Sequence, residues 1–120
     1  MLVKKIVCTV KDGREEVFSA GQEQWKALAN CTGFIAQIGG WMQGRENVAM
    51  IAAAWEDLAS YEEFMTNTHD GIYERTEQQG SIENIDVQLE EVVVREEDRA
   101  LKDWLTSQNV SLEEKWSIVK

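Results

Sequence analysis

The sequence contains no proline, a single histidine and only two cysteines among its 120 residues. It is also poor in basic residues, since 12 lysines and arginines stand against 22 aspartates and glutamates, for a net charge of −10. A surface for nucleic acid or an anionic membrane needs an excess of positive charge, so we expect neither partner. The few histidines and cysteines exclude the usual zinc sites, and we predict no metal and no cofactor.

Long apolar runs are absent as well. No run approaches the roughly 18 apolar residues that span a bilayer, and the N-terminus lacks the apolar segment of a secretory signal. We therefore expect a cytoplasmic protein, in which Cys8 and Cys31 stay reduced. A chain of this length is sufficient for one domain with its own hydrophobic core.

The spacing of the apolar residues predicts six elements in the order β-α-β-β-α-β, the ferredoxin-like α+β fold with an antiparallel sheet. In chain order they are a strand at 2–10, a helix at 14–29, strands at 33–43 and 47–56, a helix at 58–79 and a strand at 81–94. Asn67 to Gly71 predicts a kink in the second helix, because these residue types favour caps and turns. A slip in the alternation at Glu91-Val92 predicts a bulge.

The two central strands are apolar on both faces. In the first, the alternation places Phe34, Ile38 and Met42 on one face and Ile35 and Trp41 on the other. Such strands are normally buried on both sides, and one layer of helices covers only one side. We therefore predict a homodimer in which each sheet packs on its copy.

Three glycines lie inside these elements. Gly21 falls in the apolar stripe of the first helix, which predicts a close approach of that helix to the sheet. Gly39 and Gly40 lie within a strand, where a glycine pair permits a bulge or a close backbone contact, here expected across the dimer.

Residues 96–120 form an extension to a predicted domain at 1–95. Leu101, Trp104 and Leu105 form a short helical stripe. The segment 111–114 (SLEE) has the pattern of a capping box and predicts a second short helix. That helix would turn Leu112, Trp116 and Val119 inward.

Several motifs resemble those of a known family. They are Gly33-Phe34, the segment 36–41 (AQIGGW), Trp55 with Tyr61 and Phe64-Met65, and His69-Asp70 with Ile72-Tyr73. Over roughly residues 2–94 the chain is similar to the YdbC-like proteins, a branch of the dimeric α/β-barrel superfamily that includes the antibiotic-biosynthesis monooxygenases. The resemblance implies a ferredoxin-like fold and a dimeric barrel, and it implies no particular reaction.

Haem-degrading members of that superfamily carry a tryptophan and a haem-ligating histidine near the second helix. The resemblance places these positions at Phe64 and near Glu74, and their first-strand asparagine has no counterpart among residues 6–9. Haem binding is therefore an outlying possibility.

His69 is the only histidine and the candidate general acid or base near neutral pH. Helical periodicity turns it toward the apolar side that carries Met65, which in the superfamily overlooks the cleft between helices and sheet. It is either a ligand-contacting residue or a structural histidine that seals the helix kink beside Asp70.

Aromatic residues are abundant and lead to a ligand hypothesis. A cleft for a small, flat, largely apolar ligand would be lined by Trp25, Phe34, Trp55, Tyr61, Phe64 and Met65. The same residues also make an ordinary core. Two functions remain open: an enzyme resembling the cofactor-independent monooxygenases with His69 as its catalytic residue, or a non-catalytic metabolite-binding or stress-response module.

Overall fold

The computed structural model describes residues 1–45, 47–93 and 97–119, except for the side chains of residues 97 and 98. The strands are β1 (Leu2–Val10), β2 (Phe34–Met42), β3 (Val48–Trp55), β4 (Ile82–Glu91), β5 (Val110–Leu112) and β6 (Ile118–Val119). The helices are α1 (Glu15–Gln22), α2 (Leu58–Asn67), α3 (His69–Thr76) and α4 (Glu97–Ser107). The predicted βαββαβ order is confirmed, and α4, β5 and β6 follow it.

The strands form one antiparallel sheet in the order β4-β1-β3-β2-β5, with β6 also pairing with β2. On one face, residues such as Cys8, Ile51 and Phe34 pack under the helices α1–α3. On the other face, residues such as Val3 and Met50 form a separate apolar cluster. The central strands β2 and β3 are therefore buried on both sides, as their two-sided apolar pattern predicts.

The register of β2 differs from the predicted alternation at one point. Phe34 pairs with Trp55 and Ala36 with Ala54, so Ile35 is an extra residue in β2. This irregularity reverses the faces, because one inserted residue shifts the two-residue period of a strand. Phe34 therefore packs on the helix side, whereas Ile38 lies in the cluster on the other side, and the prediction that they share a face is wrong.

The second predicted helix is interrupted where its sequence predicts. The Asp57 side chain accepts a hydrogen bond from Ser60 N at 2.8 Å and caps the start of α2, and this bond lowers the pKa of Asp57. Thr68, with φ −128°, separates α2 from α3. His69 is consequently the first residue of α3, at the kink.

The first predicted helix is α1 followed by a 3-10 helix over Glu23–Asn30. Gly21 does permit a close approach, although not to the sheet as expected. A Cβ atom there would meet the Thr76 carbonyl oxygen and the Gln78 side chain at the end of α3. The missing side chain therefore lets two helices approach each other.

Helix α4 of the extension packs on the face of the sheet opposite to α1–α3. Leu101 and Leu105 of α4 are fully buried there against residues of β2 and β3 such as Ile38 and Met50. The apolar face that was expected to require a second copy is thus covered by a helix of the same chain. The homodimer remains a prediction, but this face no longer supports it, because α4 covers its β2–β3 half.

The prediction of a second helix in the extension is wrong. Residues 110–112 and 118–119 are the short strands β5 and β6, separated by one 3-10 turn. Trp116 is buried as predicted, while Leu112 and Val119 are exposed. The predicted cross-dimer contact of Gly40 is made within the chain instead, because a Cβ atom there would overlap the Ser111 carbonyl of β5.

Strand β4 forms the free edge of the sheet beside β1. It ends at Glu91, and its irregularity lies at the other end, opposite Thr9 and Val10, so the bulge predicted at Glu91-Val92 is wrong. Three of its residues, Ile85, Val87 and Leu89, pair with Cys8, Ile6 and Lys4 of β1 and share their helix-side face. All three are about half exposed, and we call them the β4 ledge.

Candidate functional site

His69 lies at the centre of a group of aromatic rings where α3 begins. Its ring centroid is 5.5 Å from that of Trp25, 5.6 Å from Phe64 and 5.8 Å from Tyr73, against which it stacks. The helix break directs the ring inward, toward the apolar side that the helical periodicity predicts. About a fifth of the His69 side chain, 22%, remains exposed to solvent.

Asp70 orients the His69 ring. The Nδ1 atom of His69 is 3.1 Å from Oδ1 of Asp70. A carboxylate in this position favours the proton on Nδ1, which leaves Nε2 as the nitrogen able to accept a proton or a hydrogen bond. The Asp70 carboxylate is itself 91% exposed, so water weakens the interaction.

Most of the predicted ligand-lining residues pack against one another. The Trp55 ring centroid is 5.3 Å from Phe34, 5.9 Å from Tyr61 and 5.0 Å from Phe64. These four residues are buried in one core cluster, with Trp25 and Met65 partly buried at its margin. The structure thus brings all six predicted residues into one cluster. Four of them are densely packed core residues.

Trp25 is held in place by a buried glutamine that sequence reasoning did not single out. Trp25 Nε1 donates to Gln78 Oε1 at 3.0 Å, while Gln78 Nε2 donates to the Phe18 carbonyl at 2.9 Å and to Gln22 Oε1 at 2.8 Å. This network joins the first helical segment to the end of α3, and it fixes the wall of the aromatic group on which His69 packs.

A cavity of about 410 Å³ lies between α2 and the end of the 3-10 helix. Phe64 is its aromatic wall, and most of the other lining residues are polar, among them Asn30, Ser60, Asn67 and Thr68. His69 does not line this cavity, although it contacts the same Phe64 ring. The cavity is polar, so it does not match the predicted apolar cleft.

Lys4 is the site residue that sequence reasoning missed. It lies on the helix side of β1, paired with Leu89 of the ledge, and is only 8% exposed. Its Nζ atom is 4.9 Å from the centroid of the Tyr61 ring and 4.0 Å from Met65 Sδ. Burial lowers the pKa of Lys4 to about 8. The alternation of β1 carried the signal, because Lys4 has the same parity as Ile6 and Cys8.

Burial also shifts the pKa of other titratable groups under the helices, in each case toward the neutral form. Burial raises the pKa of the Cys8 thiol to about 11, which leaves it protonated and unreactive near neutral pH. Burial and, secondarily, the nearby Cys8 raise the pKa of Tyr73. Burial also raises the pKa of Tyr61. His69 and Lys4 are therefore the groups here whose chemistry suits proton transfer or charge pairing.

Within residues 1–45, 47–93 and 97–119, no group of three or more histidine, cysteine, aspartate or glutamate side chains is arranged to hold a metal ion. The helices in those ranges are all too short or too polar to cross a membrane.

The fold is that of the antibiotic-biosynthesis monooxygenase-like proteins. The chain is similar to a putative antibiotic biosynthesis monooxygenase from Nitrosomonas europaea, with a TM-score of 0.66 and 12% identity over 78% of this chain and 100% of that chain. It is also similar to SnoaB, a cofactor-independent oxygenase from Streptomyces nogalater, with a TM-score of 0.65 and 13% identity over 78% of this chain and 93% of that chain. At these identities the likeness shows the fold alone.

The particular family is the domain of unknown function DUF4937, whose model matches residues 2–89, and the chain belongs to it. The chain is also 38% identical, over all of its length and 99% of the relative's, to the uncharacterized protein YdbC of Bacillus subtilis. The family resemblance found in the sequence is thereby confirmed.

Proposed function

We propose that this protein binds a small, flat, largely apolar ligand between the β4 ledge and the helices α2 and α3. The proposal rests on the exposure of the β4 ledge. Ile85, Val87 and Leu89 present a continuous half-exposed apolar strip on the side of the sheet that the helices otherwise cover. Apolar strips of this kind, next to a few polar groups, are typical of ligand sites.

Polar groups stand on the helix side of this strip. His69 and Tyr73 stack on each other in α3. Lys4 and Met65 lie together at the other end. A flat ligand on the ledge would therefore have an aromatic and sulfur-containing wall along one side and an ammonium group at one end.

The first prediction tests the ledge. Val87→Glu should abolish binding of a flat aromatic probe, 2-naphthalenemethanol, because it places a charge where the ligand packs. The protein should stay folded, since Val87 is half exposed and the change costs about 1 kcal/mol or less. Calorimetric titration measures the affinity, and circular dichroism measures the melting temperature.

Gln88→Glu is the matched control, because its side chain lies on the opposite face of the same strand. It should bind the probe like the unaltered chain. Equal affinity of the Val87→Glu variant and the unaltered chain would refute the ledge as the binding surface.

Cofactor-independent oxygenation is a second candidate, and the His69-Asp70 pair favours it. Such chemistry needs a base to remove a proton from the substrate, and Nε2 of an Asp-oriented histidine can do so. SnoaB, a fold neighbour, is described as a cofactor-independent oxygenase. His69 is thus the proposed catalytic residue, and a non-catalytic metabolite-binding or stress-response module is the alternative.

His69→Ala distinguishes the two. If His69 acts as the base, the variant should bind 2-naphthalenemethanol with an affinity within a few fold of the unaltered chain and lose turnover of a flat phenolic substrate by 10²-fold or more. The assay follows oxygen consumption over a panel of polycyclic phenols. Glu62→Ala, an exposed change on α2, is the control. An unaltered chain that binds the panel without consuming oxygen would establish the non-catalytic alternative.

A cytoplasmic homodimer is part of the proposal. The expectation that Cys8 and Cys31 stay reduced supports the location. The family resemblance supports the dimer, which with α4 in place would have to use a surface other than the β2–β3 half of the sheet face.

A further inference from the structure

We propose that Lys4 binds the anionic oxygen of the ligand, so that the ligand class is a flat aromatic acid rather than a neutral aromatic compound. This inference rests on the proposed function, because it names the ligand chemistry of the same site. The structural feature behind it is a buried cation placed at the end of an apolar strip, with no carboxylate facing it from the part of the chain that the structure describes.

The described surroundings of Lys4 are an aromatic ring, a thioether and apolar side chains. Among the residues that the structure describes, no carboxylate oxygen lies within 4.0 Å of its Nζ, whose neighbours are the Tyr61 ring and Met65 Sδ. Beside it in the sheet are Leu89 of β4 and Ala53 of β3. A charged group in such surroundings has lost most of its hydration and has gained only weak contacts in return.

Lys5, the next residue, provides the contrast. It lies on the opposite face of the sheet, where its Nζ forms an ion pair with Glu90 at 2.8 Å and lies 5.4 Å from the centre of the Trp104 ring. Of the two neighbouring lysines, the more exposed one thus has a carboxylate partner, whereas the buried one has none among the described residues. An external anion would supply the missing partner.

The position of Lys4 sets where that anion would lie. Leu89 is both its direct neighbour and one end of the ledge, so a ligand whose rings cover Ile85, Val87 and Leu89 would bring a substituent at its end next to Nζ. The lowered pKa of about 8 still leaves the ammonium form in the majority at pH 7. A ligand carboxylate or phenolate would form a charge-assisted hydrogen bond with Nζ in a poorly solvated environment. Such hydrogen bonds are stronger than those between neutral groups.

The test compares two ligands of nearly the same shape, 2-naphthoate and neutral 2-naphthalenemethanol, by calorimetric titration at pH 7. The unaltered chain should bind 2-naphthoate at least about tenfold more tightly, the smaller end of what a hydrogen bond to a charged group contributes. Lys4→Met keeps an unbranched side chain that is one atom shorter and removes the charge. This variant should lose the preference for the acid while binding the alcohol as well as before.

Lys5→Met is the matched control and should keep the full preference. Lys4→Met should fold normally, with an unchanged or higher melting temperature, because an unpaired buried charge is replaced by an apolar group. Equal affinity for acid and alcohol in the unaltered chain, or an undiminished preference in Lys4→Met, would overturn the role of Lys4 and leave the apolar site standing. Failure of both ligands to bind the unaltered chain would overturn the proposed function itself.

Discussion

Leu105→Asp should release α4 from the sheet and lower the free energy of unfolding by more than about 3 kcal/mol. Leu105 is 0% exposed, and truncating a buried leucine alone costs about 2–5 kcal/mol. The aspartate adds a charge that has no partner among the apolar residues of β2 and β3. Urea denaturation followed by tryptophan fluorescence measures the loss.

Leu105→Asp also exposes the β2–β3 face of the sheet, which is the face on which the sequence predicts that two copies pack. Light scattering on the unaltered chain should give twice 13.7 kDa if the homodimer exists, and 13.7 kDa would contradict it. The Leu105→Asp protein should also form larger oligomers in the same measurement, because the uncovered β2–β3 face is a broad apolar surface. Thr106→Asp places the same charge on the exposed side of α4 and should change stability by only a few tenths of a kcal/mol. A Leu105→Asp protein as stable as Thr106→Asp would refute the packing of α4.

Trp55→Ala should cost about 3–5 kcal/mol of stability, which is the usual loss for a large aromatic residue removed from a core. Trp55 is 1% exposed and contacts Phe34, Tyr61 and Phe64. The result decides between the two predicted roles of this residue, since a side chain that lines an open cleft contributes much less to the core. Chemical denaturation gives the stability, and titration with 2-naphthalenemethanol gives the binding.

Trp55→Phe is the control, because it keeps an aromatic ring in the same cluster and should lose less than half as much stability. A Trp55→Ala variant that loses under about 1 kcal/mol and also loses ligand binding would show that the side chain lines the site. That result would confirm the prediction that Trp55 is a ligand-binding residue.

The course of the chain up to β4 could be predicted from the sequence because its signals are local. The apolar spacing marks each helix and strand, and Asn67 to Gly71 marks the break before His69. The face of Phe34 could not be predicted, because the extra residue Ile35 is defined only by the pairing of β2 with β3. Local patterns contain no information about such a register shift.

The extension shows the same limit. The segment 111–114 has the residues of a helix cap, yet Ser111 and Leu112 lie in β5 and pair with β2. Gly40 leaves room for their backbone, and a sheet edge offers unpaired hydrogen-bonding groups. Tertiary pairing overrides the local preference. The alternation of β1 places Lys4 on the same face as Ile6 and Cys8, but its contacts with Tyr61 and Met65 could not be predicted, because they depend on how α2 packs over β1.

The position of Trp116 and Ile118 in the core has a consequence for the order of folding. Trp116 packs against Phe18 and Trp41, and Ile118 belongs to the cluster that contains Leu28, so the interior of the first helical segment is closed by residues nearly a hundred positions later. Contacts between such distant segments form slowly. A nascent chain cannot complete this core until translation has passed Ile118, and until then Phe18 and Trp41 stay exposed to chaperones and proteases.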